Sequence, residues 1–147
     1  MNRRIIPASQ KALYDNFHFA PAVVDGQNLR CSGVVGMNPD GSVPEDPEAQ
    51  FTQAFQAIGE VLAEAGAEFS DITEMTTFHI GMRQHMGAFS RVRERFIEEP
   101  YPAWTAVGTT ELALPGALVL EGGPGARRPR ETPPTLVVEV DAARGPV

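Results

Sequence analysis

The sequence predicts an α+β domain: a single mixed β-sheet with two helices packed on one face, in the order β-β-α-β-α-β-β. Three observations carry this. An apolar stripe at helical period runs through Phe51, Ala54, Phe55, Ile58, Val61, Leu62 and Ala65, and a second through Met86, Phe89, Val92 and Phe96. Between them residues 71–80 alternate, with Ile72, Thr76, Phe78 and Ile80 on one side and Thr73, Met75, Thr77 and His79 on the other. That is a strand with one face on a helix layer.

Each element has a local cause. Residues up to about Asn16 show no periodicity and read as an irregular lead-in. Residues 17–24 form a first strand that Pro21 restricts to an edge or a bend. Asp25-Gly26-Gln27-Asn28 is a turn, and residues 29–35 return as a second strand. Asn38-Pro39-Asp40-Gly41 is a further turn. The first helix opens on Asp46 as cap, Pro47 at the first helical position and Glu48 near the positive end of the dipole; Gly66 stops it. The second helix spans residues 84–99, with Arg91, Glu94, Arg95, Glu98 and Glu99 solvated, and ends before Pro100 and Pro102. Strands over 104–111 and 117–121 follow, joined through a Pro115-Gly116 turn.

Three parts result: a domain over 1–121, a Gly/Pro/Arg-rich loop over 122–135, and a tail over 136–147. The tail's residues 136–141 alternate like a strand. The sequence leaves two readings open: the sheet ends with 117–121, or the loop is an insertion and 136–141 adds a strand.

Composition narrows the function. The chain has 147 residues, one domain's worth, 42% of them hydrophobic and 21% charged. A net charge of −7 and near-absence of lysine argue against a nucleic-acid surface, which needs clustered cations. The Arg127-Arg128-Pro129-Arg130 cluster is too short to change that and reads as a solvated loop. The lone Cys31 forms no internal disulfide and reads as a buried strand thiol. No apolar run approaches the ~20 residues of a membrane span, and no apolar segment follows Arg3-Arg4, so cytoplasm is the expected location. His79 and His85 lack a carboxylate or thiolate at ligand spacing, so no metal is expected.

Several separated features, in order and at matching spacing, resemble the Rid family (YjgF, also labelled endoribonuclease L-PSP). They are Ser32-Gly33; Asn38-Pro39 with Gly41 and Val43-Pro44; Gln50; Asp71-Ile72; Phe89-x-x-Val92; and Tyr101-Pro102-Ala103 leading into Leu114-Pro115. The resemblance covers residues 17–121. It implies a chorismate mutase-like fold that assembles as a homotrimer, with pockets in the clefts between subunits and no metal or organic cofactor. It also implies hydrolysis of reactive imines and enamines to a 2-keto acid and ammonia. In that chemistry an arginine grips the substrate carboxylate, donors near the Ser-Gly pair help, and an acidic residue positions water.

Carried over by position, Ser32 and Gly33 match the ligand-contacting pair, and Phe19 lies where a pocket tyrosine is common. Trp104 stands where the family has its arginine, and Ala106 where a cysteine is common. Arg93 lies where some members have an asparagine facing the pocket. The water-positioning glutamate falls at Gly123 without a gap. Glu121, or Asp141 or Glu139 beyond an insertion, is the substitute. Losing the strand guanidinium costs such a site roughly 2–5 kcal/mol for a small carboxylate, while an indole favours an aromatic or apolar ligand. Ordinary 2-imino-acid deamination is therefore not expected. Each of these residues also has a plainer reading: Trp104 as packing, Arg93 and Glu121 as solvated charges. Two functions stay open, a hydrolase acting on C=N bonds and a non-catalytic trimer that binds a metabolite or a partner.

Overall fold

The computed structural model describes residues 2–127, with side chains described for residues 3–119. Six strands, β1 (Asn2–Ile5), β2 (Ala22–Asp25), β3 (Asn28–Cys31), β4 (Ile72–His79), β5 (Ala103–Gly108) and β6 (Val119–Arg127), form one sheet in the order β1-β2-β3-β6-β4-β5. Every pair is antiparallel except β4 with β5. That parallel pair is bridged by a crossover helix, α3 (Met82–Phe96), as parallel neighbours require. Helices α2 (Pro47–Glu64) and α3 cover one face. The short α1 (Lys11–Phe17) buries none of its residues.

The α+β sheet with two covering helices is as the sequence predicts, and α2 keeps its predicted start. The Asp46 carboxylate accepts from the Ala49 amide at 3.0 Å, Pro47 opens the helix, and Gly66 follows its end at φ +79°. The core is built from α2 (Phe51, Phe55, Ile58, Leu62), α3 (Phe89, Val92) and the facing strand residues Ile5, Val24, Leu29, Met75 and Val119. On β4 the helix-facing set is Met75, Thr77 and His79, the more polar of the two alternating sets. Phe78 instead packs on the opposite face with Leu112 and Ala117.

Three expectations change. The lead-in contains β1, whose Ile5 is buried against the core, and α1; each is too short to show a period. The first part of the loop expected over 122–135 is strand instead, because β6 runs through Gly122 to Arg127 between β3 and β4; residues 128–135 lie outside the described residues. The physical reason is a pair of register shifts against β4, between Ile72 and Glu74 and between Glu74 and Thr76. Pro124, which has no N–H to give, falls where the ladder is interrupted. Finally, α3 runs from Met82 to Phe96 rather than from 84 to 99. The tail over 136–147, with its candidate strand, lies outside the described residues.

One buried amide ties the loops to the helix layer. Gln50 on α2 donates through Nε2 to the Pro44 and Gly116 carbonyls, both at 3.1 Å, and its Oε1 accepts from the Leu118 amide. Both side-chain polar atoms are bonded, so burial costs little. Gly36 crosses the same helix so closely that a Cβ would run into the Gln50 backbone carbonyl. Urea unfolding should therefore show Gly36→Ala losing about 3 kcal/mol, the upper end of overpacking because backbone cannot yield. Gly26→Ala, in a left-handed turn with open space around its Cβ, should lose only ~1 kcal/mol.

Candidate functional site

Where the C-terminal end of α3 crosses the start of β5, the surface opens into a cleft of about 670 Å³. It is lined by Arg93, Glu94, Ile97, Glu98, Glu99, Tyr101, Pro102 and Trp104. Sequence causes the shape: Pro100 and Pro102 forbid continuation of the helix, so the chain leaves α3 extended and keeps Glu98, Glu99 and Tyr101 beside the helix end. Among the described residues β5 is the last strand of the sheet, so the cleft lies at its edge.

Trp104 is the half-buried floor. It is in register with Met75 of β4 and packs near Phe89, ring centroids 6.0 Å apart. The Arg93 guanidinium lies over its ring, Cζ 4.3 Å from the centroid, a cation–π arrangement. Behind the indole, Nε1–H donates to Thr77 Oγ1 at 2.9 Å, and Thr77 Oγ1 meets His79 Nε2 at 2.7 Å. Thr77 and His79 are 0% and 1% exposed. His79 stands edge-on to Phe89 at 4.9 Å, and burial lowers its pKa from 6.5 to about 4. The indole can only donate, so Thr77 Oγ1 is its acceptor, and the same oxygen is shared with the imidazole.

The other candidates fall elsewhere. Ser32, just past β3, donates its hydroxyl to the Ala20 carbonyl at 2.6 Å, and its amide donates to Pro21. Phe19, 38% exposed, precedes that carbonyl, so Phe19, Ser32 and Gly33 form one locale at the open end of the β2–β3 hairpin. Three strand steps, ~14 Å, separate β3 from β5. The chain thus joins Arg93 to Trp104 and Phe19 to Ser32, in two separate groups. Ala106 pairs with Thr77 in the β4–β5 ladder, and Glu121 pairs with Thr77 in the β4–β6 ladder, so the three share one cross-strand row. Asp141 and Glu139 lie outside the described residues. Burial pushes the Cys31 thiol up to about 12, which removes it as a nucleophile.

Sequence reasoning missed Glu98, Glu99 and Tyr101 as cleft residues, and Thr77 and His79 as support. The paired prolines were the available signal for the first three. For the last two it was a hydroxyl and an imidazole at i, i+2 on the strand side that also carries Met75. Chemically, the cleft offers one cation on an aromatic plane with three carboxylic residues around it.

Comparison with known proteins adds the following. Residues 9–120 match the family model described as endoribonuclease L-PSP. The RutC family protein YjgH of Escherichia coli K12 is 37% identical over 110 residues, covering 74% of this chain and 84% of that protein. The solved structure of YjgH superposes with a TM-score of 0.80 at 34% identity, covering 88% of this chain and 98% of that one. A protein of Dermatophagoides farinae named 2-iminobutanoate/2-iminopropanoate deaminase is 33% identical over 98 residues, 64% of this chain and 74% of that one.

The buried imidazole has a pH consequence. The unfolded chain takes up the His79 proton from its ordinary 6.5, while the fold resists until about 4. The stability contribution is therefore complete above pH 6.5 and is lost as pH falls toward 4, by on the order of 3 kcal/mol. Urea midpoints measured across this window should fall less steeply for His79→Gln than for the wild type.

Proposed function

Because the chain belongs to the endoribonuclease L-PSP family, also called Rid or YjgF, we propose that the Trp104–Arg93 cleft binds and hydrolyses a carboxylate-bearing imine or enamine. The observation that carries this is the Arg93 guanidinium held 4.3 Å over the Trp104 ring inside the cleft. Trp104 takes the strand position of the family's arginine, and Arg93 returns a guanidinium to the same place from the neighbouring helix. A guanidinium grips a carboxylate through two parallel N–H donors. The stacked indole holds its plane and excludes water from one side.

The chemistry then needs only water. A glutamate of the cleft, Glu94, Glu98 or Glu99, or Glu121 in the Thr77 row, accepts a proton as water attacks the imine carbon. The resulting carbinolamine expels ammonia and leaves a 2-keto acid. Phe19, Ser32 and Gly33 can reach such a ligand only from a second copy, so the proposal includes a homotrimer whose pockets are completed between subunits. It works in the cytoplasm, where Cys31 stays reduced. The relative from Dermatophagoides farinae, named for this reaction, supports the reaction class.

A non-catalytic ligand-binding trimer is the second reading. One observation favours it: Trp104, and not an arginine, stands at the strand position where the family grips a substrate carboxylate.

The discriminating experiment generates 2-iminobutanoate in situ and follows semicarbazone formation. On the first reading the protein lowers the semicarbazone signal, and Arg93→Ala, with an unchanged melting temperature, reduces kcat/KM about 30-fold, equivalent to ~2 kcal/mol of carboxylate binding. Wild-type rates in Arg93→Ala would remove the clamp from the account. Saturable binding of 2-oxobutanoate without any acceleration would select the second reading.

A further inference from the structure

The indole of Trp104 spends its only hydrogen-bond donor inward. Nε1–H goes to Thr77 Oγ1 at 2.9 Å, and Thr77 is in turn held by His79 Nε2 at 2.7 Å. Both supports are buried, and His79 is braced edge-on by Phe89 at 4.9 Å. With the N–H committed, Trp104 offers the cleft only carbon surface of its ring, beside the Arg93 guanidinium that lies over one face. Pro102 and Tyr101, the latter 65% exposed, extend that apolar lining beside the Arg93 cation, with Ile97 buried beneath. The cleft, about 670 Å³, is open along one side, so a substituent carried beyond the carboxylate can lie along Tyr101 and Pro102.

We propose that Thr77 and His79 are positioning residues that fix Trp104 as an aromatic platform, so that this cleft selects 2-imino acids bearing an aromatic side chain. The inference rests on the reading of the cleft as the C=N site and narrows its substrate class. Arg93 takes the carboxylate, and the aromatic substituent displaces water from the lining formed by Trp104 and Tyr101. For the phenyl compound the reaction is 2-imino-3-phenylpropanoate plus water giving 2-oxo-3-phenylpropanoate plus ammonia. The C=N bond breaks, C=O forms, both water protons leave on nitrogen, and no oxidant or reductant takes part.

The test uses the stable products as probes. Calorimetric titration should show 2-oxo-3-phenylpropanoate binding at least about tenfold tighter than 2-oxopropanoate, the yield of burying a ring against apolar lining. Thr77→Val should abolish most of that preference by weakening the phenyl compound about tenfold. Thr77→Ser, which keeps the hydroxyl, should restore it, and His79→Leu should resemble Thr77→Val. A rescue by serine separates hydrogen bonding from packing. A second readout needs no ligand: Trp104 is the only tryptophan, so acrylamide quenching of its fluorescence should be faster in Thr77→Val than in wild type or Thr77→Ser. Equal affinities for the two acids, or a preference retained in Thr77→Val, overturns the substrate-class inference while leaving the site in place. Binding of neither acid overturns that inference together with the site. Unchanged quenching in Thr77→Val overturns the positioning role in either case.

Discussion

Phe89 is the contact on which the rest of this molecule turns. It sits on α3, fully buried, with its ring 5.4 Å from Phe51 and 5.7 Å from Phe55 on α2, 4.9 Å from His79 on β4, and 6.0 Å from Trp104 on β5. One side chain therefore sets the spacing of both helices from the two strands that carry the site. It also fixes how α3 is rotated about its own axis. Residues four apart on a helix share a face, so a helix whose Phe89 faces β4 and β5 must point Arg93 at the start of β5. Truncating a buried phenylalanine typically costs 3–5 kcal/mol, and here the loss would be felt first as freedom of the helix that holds the cation.

The same geometry explains why the polar face of β4 is the buried one. Thr77 and His79 would be costly in the core if unpartnered, but they satisfy each other and the indole N–H. A polar row inside an aromatic layer specifies one arrangement of Trp104 rather than many. Outside this row the helix layer is held by ordinary means. Glu48 bridges Arg91 and Arg95 at 2.9 and 3.4 Å, with all three side chains at least a third exposed. Such pairs add little to stability, so they register the helices without deciding the fold.

How much of this was legible in the sequence depends on range. Asp46-Pro47-Glu48 and the stripe from Phe51 to Leu62 act within a few residues, and α2 appears where they place it. The alternation of residues 71–80 found β4 but not which side faced the helices, because hydrophobicity alone cannot anticipate that Thr77 and His79 find partners. Gly122-Gly123-Pro124 reads as a loop on local chemistry, yet β3 and β4 supply neighbours on both sides and the ladder shifts register around the proline. Trp104 and Arg93 were each singled out, for separate reasons. Their stacking across 10 intervening positions needs the helix rotation that Phe89 imposes. Glu98 and Glu99 read as solvent-facing because their helix was expected to continue; it ends at Phe96 and leaves them at the cleft.

The central claim is that a small carboxylate ligand is held where the Arg93 guanidinium rests on the Trp104 ring. The protein has one tryptophan, so its nitrogen–proton correlation spectrum contains a single indole N–H signal from the floor of the cleft. Titration with 2-oxobutanoate should move that signal saturably, together with backbone amides at the end of α3 and the start of β5. An indole signal that stays fixed while amides elsewhere shift, or while nothing shifts at all, would contradict the account.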